Sequence, residues 1–254
     1  MIFDFVRKLK DSELRLVAAA LAFSTVLSMI PFLALTFSIF QSFGGLESLV
    51  PKIQGFFFRY FKEAFGQEVL SFVKLLLGKI KPNTLGPAAA IFLILTSMRL
   101  LQDMEYGINR MWHKIPSPLY RRWLMAWAFM ILIPVALALY AGLRSMETLR
   151  PFIKNYRGLL DSTLVFVGLF SIYKWIPVSK VQTSKAIYGS LIAGFGLLAL
   201  KGSFSYLMKT FFMINKIYGS MAAIPLFLLH ILFFWYVVLI GAAFVASLHK
   251  TKAI

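Results

Sequence analysis

Long apolar stretches separated by short charged ones set the pattern of this chain. Between Arg15 and Glu47, and again between Lys216 and Lys250, no Asp, Glu, Lys or Arg occurs. A hydrocarbon core about 30 Å thick needs about 20 mostly apolar helical residues. Both stretches therefore predict spanning helices, at 16–40 and 218–247. A third span is predicted over 123–143, bounded by Arg122 and Arg144, and a fourth over 84–101, where Arg99 must sit at the interface or pair inside the bundle. Two more follow at 159–177 and 186–206. The former holds Asp161 and Lys174 at its ends, where a lysine can snorkel. The latter places Gly189, Ala193, Gly196 and Ala199 on one helix face, as close helix packing in lipid requires, but is interrupted by Lys201.

The expected fold is all-α: a polytopic integral membrane helix bundle of about six spans, forming a single membrane domain over residues 1–254. Pro31, Pro134 and Pro225 predict kinks within spans. Between the first two spans, Ile53, Phe56, Phe57, Tyr60, Phe61 and Ala64 recur at helical spacing, as do Val69, Phe72, Val73, Leu76, Leu77 and Ile80. This predicts an amphipathic segment over 52–81 that either lies in the membrane interface or caps the bundle. The apolar run after Arg15 is too long for a secretory h-region and is expected to stay as the first span.

Composition sharpens this picture. Hydrophobic residues make up 59% of the chain, well above the roughly 45–50% of soluble domains. Lys and Arg outnumber Asp and Glu 27 to 10, for a net charge of +17, which calls for anionic neighbours. The charges are dispersed, with compact clusters only at Arg7-Lys8-x-Lys10 and Arg121-Arg122. Anionic membrane lipids are therefore the expected partners and nucleic acid is not. Lys and Arg are nearly balanced between the two sides of the membrane until the long 47–86 segment is discounted. The remaining excess puts both termini in the cytoplasm.

Little enzyme chemistry is available. The chain has no cysteine, which removes thiolate nucleophiles and cysteine-bound metal centres. His113, His230 and His249 have no second ligand at metal-binding spacing, and no Walker loop or nucleophile elbow occurs. Neither metal nor cofactor is expected. Arg99, Asp103, Lys201 and His230 are the candidates for a polar path, because ionisable groups at membrane depth are functional candidates. Arg99 and Asp103, four residues apart, should neutralise each other. A structural pair and a hydrogen-bonded structural histidine are the competing readings. Ser24, Thr25 and Ser28 are expected to bond helical carbonyls or neighbouring helices.

Four ordered motifs resemble the bacterial inner-membrane YihY/BrkB family, historically also labelled ribonuclease BN. Ala20 to Pro31, containing Ser24, Thr25 and Ser28, is similar to its A-L-A-[YF]-x-T-x-x-S-x-x-P signature. Asn109-Arg110-Met111-Trp112 resembles its L-N-R-x-W element. Trp175-Ile176-Pro177 followed by Ser184 to Ser190 resembles its L-P…W-x-x-A-x-x-G passage, and Tyr218-Gly219 through Pro225 resembles the opening of its last span. The family often closes that span with an acidic G-A-E. Here Gly241-Ala242-Ala243 carries no carboxylate, so no role of that glutamate transfers. The resemblance implies a six-helix inner-membrane protein with cytoplasmic termini and supplies no catalytic residues.

The leading expectation is a non-enzymatic protein that transports or accommodates a small solute, ion or lipid through its bundle. The alternative is an envelope scaffold that docks a protein partner through 52–81. A ribonuclease is the least favoured, because its ten acidic residues are spread along the chain rather than clustered for acid–base or metal chemistry.

Overall fold

The computed structural model describes residues 5, 12–42, 54, 55, 58, 62, 67, 70, 71, 73–75, 87–112, 118, 120, 121, 123–125, 127, 128, 132, 135, 136, 157–214 and 223–250. Among them there is no strand. Five long helices run in chain order: α1 (Ser12–Ser42), α2 (Pro87–Arg110), α3 (Arg157–Trp175), α4 (Thr183–Ile214) and α5 (Ala223–Lys250).

Each helix buries one stripe. On α1 the inward residues are Leu14, Ala18, Leu21, Ser24 and Ser28, at intervals of three and four. On α2 they are Met98, Leu101, Glu105 and Ile108. Exposed large apolar side chains such as Leu16, Phe23, Ile91, Leu95 and Phe195 cover the outside, as expected where the surrounding solvent is hydrocarbon. Among the described residues, Thr183–Phe204 and Pro225–Leu248 are long and apolar enough to cross a membrane, while Ser162–Trp175 is shorter.

α5 is the centre. It packs along α1 and α4 and touches α2 and α3 more lightly, while α1 lies against α2 and α3 against α4. Accordingly 56% of Pro225–Leu248 is buried, against 28% of Thr183–Phe204. The α4–α5 crossing is close because small residues meet there. A Cβ on Gly189 would strike Val245, one on Gly196 would come within 2.7 Å of Val237, and one on Gly241 would strike Tyr173 and lie 2.8 Å from Ala193. With lipid outside, such contacts and the dispersion they gain replace the hydrophobic effect as the cause of association.

The helices differ in several places from the limits of the expected spans. α2 does not stop near residue 101 but continues to Arg110, where Asp103 and Asn109 find partners on α1 and on the α3–α4 connection. α4 extends on both sides of 186–206, and α3 ends at Trp175, before Pro177. Ala199 is exposed and leaves the small-residue face of α4 to Gly189, Ala193 and Gly196. Pro225 is the third residue of α5, where a missing N–H costs nothing, so it opens the helix rather than kinking it. α1 runs through Pro31 as one helix of 31 residues, about 45 Å long. Pro134 lies outside the described residues, as do Tyr218 and Gly219 and most of the apolar positions assigned to 52–81. Within that segment Leu70 and Val73 are buried in the core and Leu75 is exposed.

Candidate functional site

The polar side chains of α2 converge on its neighbours along one seam. Asp103 receives two groups at once: Arg99 Nε, 3.2 Å from Oδ1, and the Ser24 hydroxyl of α1, which donates to Oδ2 at 2.6 Å. The arginine is largely exposed, with 73% of its side chain accessible, whereas Asp103 retains 31%. The pair thus runs from the outer face of α2 to the α1 interface. The guanidinium and the hydroxyl together satisfy both carboxylate oxygens where the two helices meet.

One residue along α1, the Thr25 hydroxyl donates to Leu21 O at 2.7 Å and accepts the indole N–H of Trp235 at 2.7 Å. Ser24 and Thr25 therefore connect α1 to α2 and α5, respectively. Ser28 is buried one turn further on. The spacing of these hydroxyls on α1 was visible in the sequence, but their partners, 79 and 210 residues away, were not.

Towards the C-terminal end of α2 the seam becomes a clamp. Asn109 is fully buried. Its Nδ2 donates to Glu105 O at 3.0 Å and to Ile176 O at 3.4 Å, and its Oδ1 accepts Val178 N–H at 2.7 Å. It thereby fixes the connection between α3 and α4 on both sides of Pro177, which is buried. The next residue, Arg110, donates from Nε at 2.8 Å and from its terminal nitrogen to Glu13 Oε2 on α1. Trp112 is buried in the core. The motif element Asn109-Arg110-x-Trp112 thus acts as a joint between α1, α2 and the α3–α4 connection. Glu13 had not been singled out by the sequence, and no local pattern marks it.

The four polar-path candidates fall into two groups. Arg99 and Asp103 pair on α2, where Ser24 joins them to α1, whereas Lys201 lies on α4 and His230 on α5. There Phe204, one turn beyond Lys201, meets the His230 ring edge-on with centroids 4.5 Å apart. Tyr173 of α3 secures that side by donating to Val238 O at 2.8 Å. Among the described residues no three His, Asp or Glu side chains converge as metal ligands would.

Comparison with known proteins agrees with the seam motifs. Residues 5–253 match the family model described as virulence factor BrkB. A UPF0761 membrane protein of Legionella pneumophila (strain Corby) is 26% identical over 93% of this chain and 59% of its own length. Another, from Chromohalobacter salexigens, is 28% identical over 92% of this chain and 60% of its own. One from Haemophilus influenzae is 26% identical over 97% of this chain and 94% of its own. The chain thus spans about three-fifths of the first two relatives and nearly all of the third. No solved structure matches it. With a family model covering it almost from end to end, and relatives named as membrane proteins, the chain belongs to the BrkB family of membrane proteins.

Proposed function

We propose that this protein is a non-enzymatic inner-membrane bundle of six spans, with both termini in the cytoplasm, that transports or accommodates a small solute, ion or lipid between its helices. The observation that carries this reading is the Arg99–Asp103–Ser24 constellation. Two opposite charges on a membrane helix, one exposed and one facing the next helix, form a polar step through an otherwise apolar wall. His230, against Phe204 where α4 meets α5, and Lys201, one turn before Phe204 on α4, supply further polar groups. Docking of a protein partner through 52–81 draws less support, because Leu70 and Val73 in that segment are turned into the core.

The test is flux in proteoliposomes with two probes, a fluorescent phosphatidylglycerol read by dithionite quenching and protons read by an internal pH dye. The reading expects flux of one probe in the native chain and its loss when Arg99→Gln, Asp103→Asn and Lys201→Gln are combined. Flux unchanged by the triple substitution removes these residues from any path. Absence of flux for both probes favours the scaffold.

A further inference from the structure

Three lysines crowd the connection between α3 and α4, and none is ion-paired with a carboxylate among the described residues. Lys174, in the last turn of α3, donates to Val181 O at 2.7 Å and to Thr183 Oγ1 at 3.2 Å. Lys185, in the first turn of α4, donates to Leu248 O near the end of α5 at 2.9 Å. Lys180, between them, is exposed. Arg121 approaches the same turn, donating to Pro177 O at 3.3 Å. Carbonyl oxygens position Lys174 and Lys185 without cancelling their charge. The connection itself is held by Asn109, so the cations sit on a fixed platform.

Their surroundings identify the ligand. Trp175, next to Lys174, is 52% exposed, and Tyr188, one turn beyond Lys185, is 58% exposed. Tyr120, beside Arg121, is exposed as well. Amphipathic rings of this kind lie at headgroup level. From the lysine end, α4 then presents Ile187, Leu191, Phe195 and Leu198 outward at intervals of four, four and three, an exposed apolar track long enough to accompany an acyl chain. Cations, aromatic ring and apolar track follow one another in the order of phosphate, glycerol and hydrocarbon in a phospholipid.

We propose that Lys174, Lys180 and Lys185 form a headgroup site for an acidic phospholipid whose acyl chain lies along the exposed face of α4. The site does not depend on transport, and its test does not measure flux. The full chain is incorporated into nanodiscs containing phosphatidylglycerol and phosphatidylcholine in equal amounts, and the lipid retained on release into the gas phase is identified by native mass spectrometry. Phosphatidylglycerol should be retained preferentially by the native chain. Each lysine removed should lower that preference by about fivefold, the effect of one cation near an anionic surface. Lys174→Gln/Lys180→Gln/Lys185→Gln should abolish it, while Lys62→Gln, an exposed lysine elsewhere, should leave it intact. Because Lys174 and Lys185 also hold carbonyls, Lys180→Gln alone is measured beside the triple variant and decides the matter if the latter does not fold. Equal retention of the two lipids by the native chain, or an unchanged preference in Lys180→Gln, overturns the proposal. So does displacement of the lipid by millimolar inorganic phosphate, which would make the site one for the free anion.

Discussion

Ser24 of α1 donates its hydroxyl to the carboxylate of Asp103 on α2 at 2.6 Å. Together with the Arg99 contact, this bond ties the carboxylate both to its own helix and to α1.

Two magnitudes compete for the worth of that bond. Hydrogen bonds to charged groups contribute about 1.5–3 kcal/mol in soluble proteins, but interhelical bonds in a membrane average about 0.6 and reach about 1.7 kcal/mol. Since Asp103 keeps Arg99 when Ser24 is removed, the lower range applies. A double-mutant cycle of Ser24→Ala and Asp103→Asn, read by thermal unfolding in detergent, should give a coupling of about 1 kcal/mol. A coupling near zero would mean that the hydroxyl does not hold the carboxylate.

Neighbouring residues at the end of α2 should differ sharply. The Arg110–Glu13 pair is exposed on both sides, 42% and 48%, so Arg110→Gln should cost less than about 1 kcal/mol and lose even that at high salt. Asn109→Ala removes the partner of the half-buried Val178 N–H and of the buried Ile176 O, at a cost of about 1–3 kcal/mol for a buried group left without a partner. Chemical denaturation of the two variants side by side checks the order. Equal effects would contradict the clamp.

Glycines on the bundle should separate in the same way. Gly241→Ala pushes a methyl into Tyr173, whose hydroxyl is fixed on Val238 O, and into Ala193. Overpacking should cost about 1–3 kcal/mol. Gly202→Ala meets nothing within 4 Å and should be neutral or gain up to about 1 kcal/mol from helix propensity. Melting temperatures of the purified variants distinguish the two. A stable Gly241→Ala would show that the α4–α5 crossing is looser than described.

The chain lacks cysteine, so single cysteines report topology directly. With six spans and cytoplasmic termini, Lys62→Cys should react with a membrane-impermeant maleimide applied to spheroplasts. Lys180→Cys should react only after permeabilisation. The reverse pattern would invert the orientation, and equal reactivity would break the span count.

Much of the helical plan was legible, for a physical reason. Charge is so expensive in hydrocarbon that its absence over 16–46 and 217–249 marks the helices by itself. The sequence was a poorer guide where polarity is compensated from a distance. α2 runs past its apolar stretch because Ser24 and the α3–α4 connection satisfy it, and nothing near Asp103 or Asn109 in the sequence names those partners. Gly189 and Gly196 lie on the α5 side of α4 as their spacing implied, whereas Ala199 does not, since small size allows close packing without requiring it. At the candidate site, the Arg99–Asp103 pair followed from helical spacing alone. The division between that pair and the Lys201–His230 side depends on how α4 and α5 pack, which spacing does not encode.

Thr25 and Trp235 stand 210 residues apart, and at a ribosomal rate of about 5–20 residues per second the nascent helix waits about 10–40 s for its partner. α2 emerges long before α5, so Asp103 is offered to Ser24 early. Thr25 endures the interval because its hydroxyl already donates to Leu21 O within its own helix. The same oxygen keeps a lone pair open for the late-arriving indole, so closure of the newborn bundle adds a bond without first breaking one.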